Sequence, residues 1–560
     1  MATTQKPSQP VDKKGTYAVT EKSTAPVTPA LAQRIVSLDQ FRGYTMAGMF
    51  LVNYLGGYKS WVAPVLLHHH NYLSYADTIM PHFLFAVGFS FRLTFGRRVT
   101  SQGASSAYFY AVRRILGLFL VAFVIYTFGR VAGSWDELTE LGFWAVVKGP
   151  MKRDWMQTIG HIALTSLWLL PVIRSGALVR ILYMIISAGA HVGLSYWFNY
   201  HWANTAPNGV DGGPLGFLTW GVCAMCGTLV CDAIAGSSGR ASGWTLTKLI
   251  FWGVLLTALG YAMSCGTRMY DLNTDELAAL KAKRTEQGKE IKVLDNEIEA
   301  RKKQIEEGSK KINAAQEKYD AQRRTELRAK VEQMEKENPT NPLFKHFLVD
   351  KAERAYVAEE PTAEMKQLAD QLAAVKAEVD LPRLRQEIRE REEKKRTYRD
   401  VKLADDPVIP SPERWNAFTA RVKEDWTQAL TAPPFVMPPQ DDPRIDAEPL
   451  DDHFLWNYWM VTQRGGSLSY TTMAAGISIL VYVFFYIVCD IGGFQLGLFR
   501  TFGTNALAGY ILHSMIGEAV KQFVPNGAPW WYGLTSFLIT FGLIYLFLRT
   551  LEKNRIFLKL

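Results

Sequence analysis

The sequence predicts an all-α polytopic membrane protein with about ten transmembrane helices and an inserted extracytoplasmic coiled-coil helical hairpin. Apolar runs of membrane-spanning length recur towards both ends of the chain, whereas the middle is dense in Lys, Glu, Arg and Gln and has none. A seven-residue apolar repeat runs through that middle section. The mean hydropathy of −0.03 and the 21% of charged residues average two unlike regions, so composition alone understates the membrane character.

The predicted membrane core has two parts, residues 35–268 with about seven helices and residues 456–560 with about three. A helix needs about 20 apolar residues to cross the roughly 30 Å of hydrocarbon in a bilayer. Runs of this kind lie near 44–58, 76–96, 112–131, 156–173, 178–198, 215–235, 247–265, 468–490, 503–520 and 531–550. A lipid bilayer is therefore the predicted environment of the chain.

The orientation in the membrane follows from the basic residues of the short loops. Loops rich in Lys and Arg alternate along the chain with loops that are poor in them, and the basic set is expected in the cytoplasm. Both termini are then cytoplasmic, as in a multi-pass protein of the plasma (inner) membrane, and the 59–74 loop lies outside. Residues 1–34 are polar and lack the apolar segment of a signal peptide, so we expect a disordered cytoplasmic tail. The formal net charge of +9 is explained by this tail and these loops and requires no nucleic-acid partner.

Residues 269–455 form the predicted insertion, which lies outside the cytoplasm because about seven spans precede it. Apolar side chains at heptad spacing predict two coiled-coil arms, with Ile291, Ile298, Ile305, Ile312 and Tyr319 on the first and Met365, Leu368, Leu372, Val375 and Val379 on the second. The prolines between 406 and 450 favour an extended return to the membrane. The insertion is interpreted either as a solvated spacer or as a docking arm for a protein partner or a second copy of the chain.

Several separated sequence words carry a family resemblance. They are LDQFRG at 38–43, VNY at 52–54, the stretch from Asn71 to Gly88, GTNAL at 503–507 with Tyr510 and His513, and FLK at 557–559. In this order they resemble the catalytic domain of the heparan-α-glucosaminide N-acetyltransferase family, over residues 35–268 and 455–560. The resemblance implies a polytopic membrane enzyme that moves acetyl from cytosolic acetyl-CoA to an amino sugar or other glycan on the outer side, without a metal.

The same resemblance implies a histidine-centred site, because family members use a histidine shortly before the motif that contains Asp77. Here His68, His69 and His70 precede it, and His68 is favoured, then His69; a polar loop or an incidental metal-binding trio is the alternative. Imidazole can act near neutral pH as a base or as an acetyl acceptor. His70 and Asn71 are expected to contact the substrate.

Three other candidates each have a structural alternative. Asn53 matches the asparagine of the family's VNY word, but a buried asparagine also joins transmembrane helices. Asp77 would orient the histidine or bind the acceptor amine, or would simply stabilise a helix N-terminus. His513, in the same matched block as Asn505, either lines the substrate cavity or packs between Gly509 and Gly517. His82, His161 and His191 are isolated in apolar segments, where buried histidines with a structural role are expected.

The phosphates of acetyl-CoA need cations on the cytoplasmic side. Arg113, Arg114 and Arg500 are the candidates, although the positive-inside rule alone also accounts for them. The pair Cys223 and Cys226 lies within an apolar span, where packing is expected and redox chemistry is not. A rival interpretation keeps the fold and makes the protein a non-enzymatic scaffold or transporter whose coiled arm recruits a partner.

Overall fold

The computed structural model describes residues 35–58, 61–69, 72–126, 132, 135–205, 207–235, 241–337, 345–398, 401–430, 453–525 and 527–558. Within these ranges the regular structure is helical, and β pairing is limited to two isolated bridges. The first membrane part contains α1 (Val36–Leu55), α2 (Tyr75–Gln102), α3 (Ala104–Tyr126), α4 (Trp135–Lys152), α5 (Thr158–Leu169), α6 (Ala177–Leu194), α7 (Tyr200–Asn204), α8 (Phe217–Ala235) and α9 (Gly243–Ser264). The predicted all-α class is confirmed.

The rest of the chain adds nine helices among the described residues. The insertion contains α10 (Thr274–Glu337), α11 (Lys345–Ala358), α12 (Ala363–Val379), α13 (Leu381–Thr397) and α14 (Pro412–Glu424). The second membrane part contains α15 (Leu468–Phe485), α16 (Gly497–Thr504), α17 (Ala506–Lys521) and α18 (Trp530–Lys553).

Seven helical segments of the described chain are long and apolar enough to cross a membrane. They are Tyr75–Gln102, Ala104–Tyr126, Ala177–Asn204, Gly213–Ala235, Gly243–Tyr270, Leu468–Ile491 and Trp530–Lys553. The remaining three predicted spans coincide with α1, which carries Asp39 and Arg42, and with the short helices α5 and α17. The fold is thus that of a multi-pass membrane protein, and the total of ten crossings stays a prediction.

Burial separates central from peripheral helices. In the spans of α2, α8 and α15 between 67% and 78% of the residues are buried, against 22–28% in the spans of α3, α6, α9 and α18. Helices α2 and α8 approach so closely that a Cβ atom at Gly88 would lie 1.8 Å from the carbonyl oxygen of Ala224. Any larger residue at Gly88 would therefore push apart the two helices that form the centre of the bundle.

The insertion folds back on itself. Ion pairs join α10 to the helices that follow it, and the partner number falls as the α10 number rises: Glu297 with Arg391 at 2.7 Å, Arg301 with Glu387 at 3.1 Å, and Lys311 with Glu378 at 3.2 Å. Helix α10 is therefore antiparallel to α12 and α13. Of the predicted apolar stripe, Ile298 and the neighbouring Leu294 are buried on α10, as are Met365 and Leu372 on α12.

The two ends of the insertion lie side by side. Asp271 pairs with Phe454 in an antiparallel bridge, and the Leu272 amide donates to the His453 carbonyl at 2.9 Å. The segment 401–409, whose last four residues begin the predicted extended return, packs into the core. Its Leu403 and Val408 side chains are buried in one apolar cluster with Tyr200 and Tyr458. The prolines from 433 onwards lie outside the described residues.

Candidate functional site

The N-terminus of α2 brings two predicted catalytic residues together. Ser74 and Asp77 form a capping box, in which the Ser74 hydroxyl accepts from the Asp77 amide and the Asp77 carboxylate accepts from the Ser74 amide at 3.1 Å. The other oxygen of this carboxylate lies 2.8 Å from Nδ1 of His68. The Asp77 side chain is 2% exposed and that of His68 is 49% exposed. The pair is therefore fixed on the protein side and open on the other.

His69 occupies a different environment. Its Nε2 lies 2.8 Å from the carbonyl oxygen of Pro64 and 2.7 Å from the hydroxyl of Tyr72, and its ring stacks on that of Tyr72. Both contacts are within the loop that precedes α2. The His69 ring therefore shapes the loop. The histidine whose imidazole contacts the Asp77 carboxylate is His68. His70 and Asn71 lie outside the described residues.

Two glycine turns place further polar groups beside His68. Asp211 and Gly212 both have positive φ angles, of 54° and 84°, and a Cβ atom at Gly212 would lie 3.2 Å from the Cα of Gly466. The Gly212 amide donates to the carbonyl of Arg464 at 3.0 Å. This close approach of the two turns brings Nε2 of Gln463 within 2.8 Å of Oδ1 of Asp211. Asp211 is only 4% exposed.

A buried aromatic pair connects the backbones of the two acidic residues. The Tyr470 hydroxyl donates to the backbone carbonyl of Asp77 at 2.6 Å, and the Trp220 indole donates to the backbone carbonyl of Asp211 at 2.7 Å. The two rings meet edge to face, with centroids 5.6 Å apart. Since both residues belong to central helices, the distance between Asp77 and Asp211 is set by the rigid centre of the bundle.

The electrostatics of the site couple His68 to both acids. Burial of the His68 ring opposes its protonation, but the hydrogen bond to Asp77 and the charges of Asp77 and Asp211 outweigh it and raise the pKa above its usual 6.5. Burial raises the pKa of Asp211 to about 6, while the hydrogen bond from Gln463 and the nearby His68 act in the opposite direction. The pKa of each of the two groups is therefore shifted upwards, and shifted pKa values at a cluster of polar groups are typical of functional sites.

Asn53 and His513 form a second, separate group. The Asn53 amide nitrogen lies 3.4 Å from Nε2 of His513, whose Nδ1 lies 2.5 Å from the Tyr510 carbonyl. Both residues line a cavity of about 140 Å³, and Lys521 is another of its lining residues. No contact among the described residues joins this cavity directly to His68. Asn505 is in neither group: its amide donates to the Ile556 carbonyl at 3.1 Å and its oxygen accepts from the Leu558 amide, so it anchors the C-terminal segment.

The three arginines that were predicted to bind the phosphates of acetyl-CoA lie in different environments. Arg500 pairs with Glu552 at 3.0 Å, which compensates its charge. Arg113 is exposed, and Arg114 is half-buried and close enough to Arg42 for their charges to interact. The sequence analysis missed a further cluster, in which Arg92 and Arg180 both pair with Asp232, the former at 2.8 Å.

Two of the three isolated histidines have defined hydrogen-bonding partners, whereas His161 is fully buried and its ring lies 6.4 Å from that of Trp220. Nδ1 of His82 lies 2.8 Å from the Ser478 hydroxyl, and Nδ1 of His191 lies 2.7 Å from the Tyr458 hydroxyl. Cys223 and Cys226 are buried free thiols. Among the described residues no group of three or more His, Cys, Asp or Glu side chains is arranged to hold a metal ion.

Comparison of the chain with models of known protein families gives no match, and no curated protein matches it either. The fold defines the chain as a multi-pass helical membrane protein, consistent with seven apolar helices of spanning length in its described part.

Proposed function

We propose that the protein is a membrane acyltransferase that transfers acetyl from cytosolic acetyl-CoA to an amino sugar or other glycan acceptor outside the cytoplasm. The observation that carries the proposal is the 2.8 Å contact between His68 and the buried Asp77. In this proposal the chain crosses a plasma membrane ten times with both termini in the cytoplasm, and the coiled-coil arm projects from the outer face. The family resemblance of the matched sequence words supports the same reaction class.

The chemistry follows from the way in which Asp77 holds the ring. An ionised carboxylate can only accept hydrogen bonds, so Nδ1 of His68 carries the proton and Nε2 keeps its lone pair. Nε2 can then take the proton of the acceptor amine or hydroxyl, or attack the thioester carbon itself. In either case the C–S bond of acetyl-CoA breaks, sulfur leaves with a proton as the CoA thiol, and the acetyl carbon finally bonds to the acceptor nitrogen or oxygen.

Asp211 supplies the second polar group at this position. As a buried carboxylate facing the imidazole, it suits an acceptor ammonium group, whose positive charge it would stabilise before a proton is lost. The carboxylate is held by Gln463 and by a left-handed turn, so it needs little reorganisation when the acceptor binds. His68 is thus the base or acetyl acceptor, Asp77 orients it, and Asp211 binds the acceptor amine.

The phosphates of acetyl-CoA require cations at the opposite end of the bundle. Arg113 and Arg114 suit this role in the proposed topology, because Arg113 is exposed and both lie towards the predicted cytoplasmic end of α3. Arg500 is a weaker candidate because Glu552 already neutralises it. Asn53 and His513 would line the path between the two ends.

The test is to incubate the purified protein with radiolabelled acetyl-CoA and glucosamine and to measure release of the CoA thiol and labelling of the sugar. Acid quenching of a reaction without glucosamine would detect an acetylated histidine. Thiol release that depends on glucosamine supports the proposal. Absence of both thiol release and acetyl-CoA binding would overturn it and would favour a scaffold or transporter.

A further inference from the structure

Large aromatic side chains are exposed along α14 and just beyond it. Trp415 on α14 is 51% exposed, and Trp426, which begins the short helix Trp426–Ala429, is 69% exposed. Within α14 the apolar residues Trp415, Phe418 and Val422 follow one another at spacings of three and four residues, so they share one face of the helix. A helix with such a face is amphipathic, and its exposed tryptophans indicate an interaction surface.

This segment is bonded to the end of a membrane-spanning helix. The span Gly243–Tyr270, which contains α9, is only 22% buried, so most of its surface is left to the lipid. The Arg421 guanidinium of α14 donates to the Arg268 carbonyl in the last turn of this span at 2.9 Å. In return, Nε of Arg268 donates at 3.2 Å to the carbonyl of Gln428. Trp426 is therefore two residues from a group that is anchored to the span.

The length of the span indicates the depth at which this attachment lies. A helix of 28 residues, like this one, is about 42 Å long. That length exceeds the roughly 30 Å of hydrocarbon in a bilayer and reaches into both headgroup layers, which bring the total thickness to about 40–45 Å. Arg268, near the end of the span, is therefore expected at the level of the lipid headgroups. The α14 segment that is bonded to it lies at a similar level.

The membrane core has exposed aromatic side chains near the end of a second span. The span Ala177–Asn204 is also only 22% buried, and Trp197, seven residues before its end, is 77% exposed. Trp202, closer still to the end, is 37% exposed. Tryptophan near the end of a lipid-facing helix is typical of the aromatic belt that marks the boundary between lipid and water.

The two spans end at the same face of the core, because one short segment of the insertion contacts both. Nε2 of His201, in the span that carries Trp202, lies 2.9 Å from the carbonyl oxygen of Asp405. The hydroxyl of Tyr270, the last residue of the other span, donates to the carbonyl of the next residue, Asp406, at 2.8 Å. The exposed tryptophans of the α14 segment therefore lie at the same end of the core as its aromatic belt.

We propose that α14 and the short helix after it seat the base of the arm on the membrane surface, with the Trp415 and Trp426 rings among the lipid headgroups and upper acyl chains. The partner is the phospholipid surface at the face where the arm leaves the core. The indole ring suits this depth, because its apolar body leaves water while its N–H keeps a polar partner. The ion pair of Arg421 with Asp271, at 2.8 Å, ties this contact to the start of the insertion. Such a contact forms whatever reaction the protein catalyses and whichever side of the membrane the arm occupies.

The test places one fluorescent label at a time in the full chain, freed of its native cysteines and reconstituted in phospholipid nanodiscs. Trp415→Cys and Trp426→Cys each carry a thiol-reactive bimane, and the quencher is a phosphatidylcholine with a nitroxide near the top of its acyl chain. Each label should lose at least about half of its fluorescence, because interfacial helices bury their apolar face about 5–10 Å into the boundary between headgroups and acyl chains. A water-soluble nitroxide should quench both labels weakly.

The matched control is Glu424→Cys, which is exposed on the same helix. Nine residues separate it from Trp415, so it lies on the opposite face of α14 and its label should respond to the water-soluble nitroxide instead. Equal quenching of all three labels by the lipid nitroxide, or none at the two tryptophan positions, would overturn the proposal. Labels at those positions that neither nitroxide reaches would show that protein, such as a second copy of the chain, covers this face, and would overturn the lipid assignment. Since acetyl-CoA is absent, failure of the transferase proposal would leave these results unchanged.

Discussion

The carboxylate of Asp77 holds His68 and caps α2 at the same time. One oxygen lies 2.8 Å from Nδ1 of His68, while the other accepts from the amide of Ser74 and, at 2.9 Å, from its hydroxyl. Of the three interpretations that the sequence left open for Asp77, the contacts therefore fit two at once, a residue that orients a histidine and a residue that stabilises a helix. Helix α2 is one of the central, largely buried helices, so the imidazole is held in place from the centre of the bundle.

The first prediction separates His68 from His69. His68→Ala should lower turnover at least about 100-fold, the effect expected when a positioned general base is removed. His69→Ala should cost less than about tenfold, because the contacts of its ring are with Pro64 and Tyr72 of its own loop. Turnover of each purified variant, with acetyl-CoA binding measured alongside, checks this. A larger loss for His69→Ala would transfer the catalytic role to that residue.

The second prediction separates helix capping from chemistry. Ser74→Ala removes a cap and should cost about 0.5–2 kcal/mol of stability. It leaves the contact of Asp77 with His68 intact, so most of the turnover should remain. Asp77→Ala should destabilise to a similar degree and should also reduce turnover by about two orders of magnitude, as when the orienting carboxylate of a catalytic histidine is lost.

The thermal unfolding midpoints and the turnover of the two variants are measured to separate the effect of Asp77 on stability from its effect on catalysis. If Ser74→Ala and Asp77→Ala lose activity in proportion to their loss of stability, Asp77 has only a structural role. The Ser74 variant is the matched control because it alters the same helix end without altering the charge.

Sequence reasoning identified half of this site. A histidine and an acid nine residues apart on either side of a helix start were visible as a matched motif, and the structure joins them. Asp211 and Gln463 were missed because they lie 252 residues apart and meet only when two distant turns pack together. The local signal was the pattern of a polar residue followed by two glycines, Asp211-Gly212-Gly213 and Arg464-Gly465-Gly466, which predicts turns but not their contact.

The parts of the fold that could be predicted are those determined by the periodicity and the hydropathy of the sequence. The helical class and the seven longest apolar spans follow directly from the runs of apolar residues. Helix α4 was missed because Gly142, with a φ angle of 69°, and Pro150 interrupt its pattern. The packing of Leu403 and Val408 into the core was missed because the prolines nearby indicated only an extended chain, and extension does not specify what the chain packs against.

The third prediction concerns pH. If neutral His68 is the working base, turnover should fall as pH drops through its pKa, which lies above 6.5. The charged groups that act on the ring are Asp77 on α2 and Asp211 on the loop between α7 and α8. Asp211→Asn removes one negative charge, which lowers the pKa of His68 and should move the acidic limb of the profile to lower pH. The profile of turnover against pH for both proteins provides the measurement, and an unshifted or upward-shifted limb would contradict the assignment.

The fourth prediction concerns removal of the arm. Tyr398 hydrogen-bonds to Glu290, so the two helices can be joined there by a short Gly/Ser linker that replaces residues 291–397. We expect this variant to fold and to bind acetyl-CoA, since the ends of the insertion remain paired through Asp271 and Phe454. The thermal unfolding midpoint of the purified variant and its binding of acetyl-CoA provide the measurement.

A longer excision of residues 275–445 provides the comparison. It also removes Leu403 and Val408 from the core and the ion pair of Arg421 with Asp271 at 2.8 Å. Loss of two buried aliphatic side chains costs about 2–5 kcal/mol each, so this variant should express poorly or unfold at a lower temperature. Equal thermal stability of the two deletions would show that the 401–409 segment contributes little to the core.

The last prediction tests the proposed orientation. Lys302 and Lys394 are exposed on the arm, and the five native cysteines, four buried and one half-buried, are replaced so that only the introduced thiol can react. Single cysteines at these two positions should react with a membrane-impermeant maleimide in intact cells or spheroplasts, because about seven crossings place the arm outside. Ser101→Cys, at an exposed position beside the basic turn between α2 and α3, should react only after lysis. The opposite pattern would place the arm and the His68 site in the cytoplasm, on the same side as acetyl-CoA, and the acceptor would then have to be cytosolic.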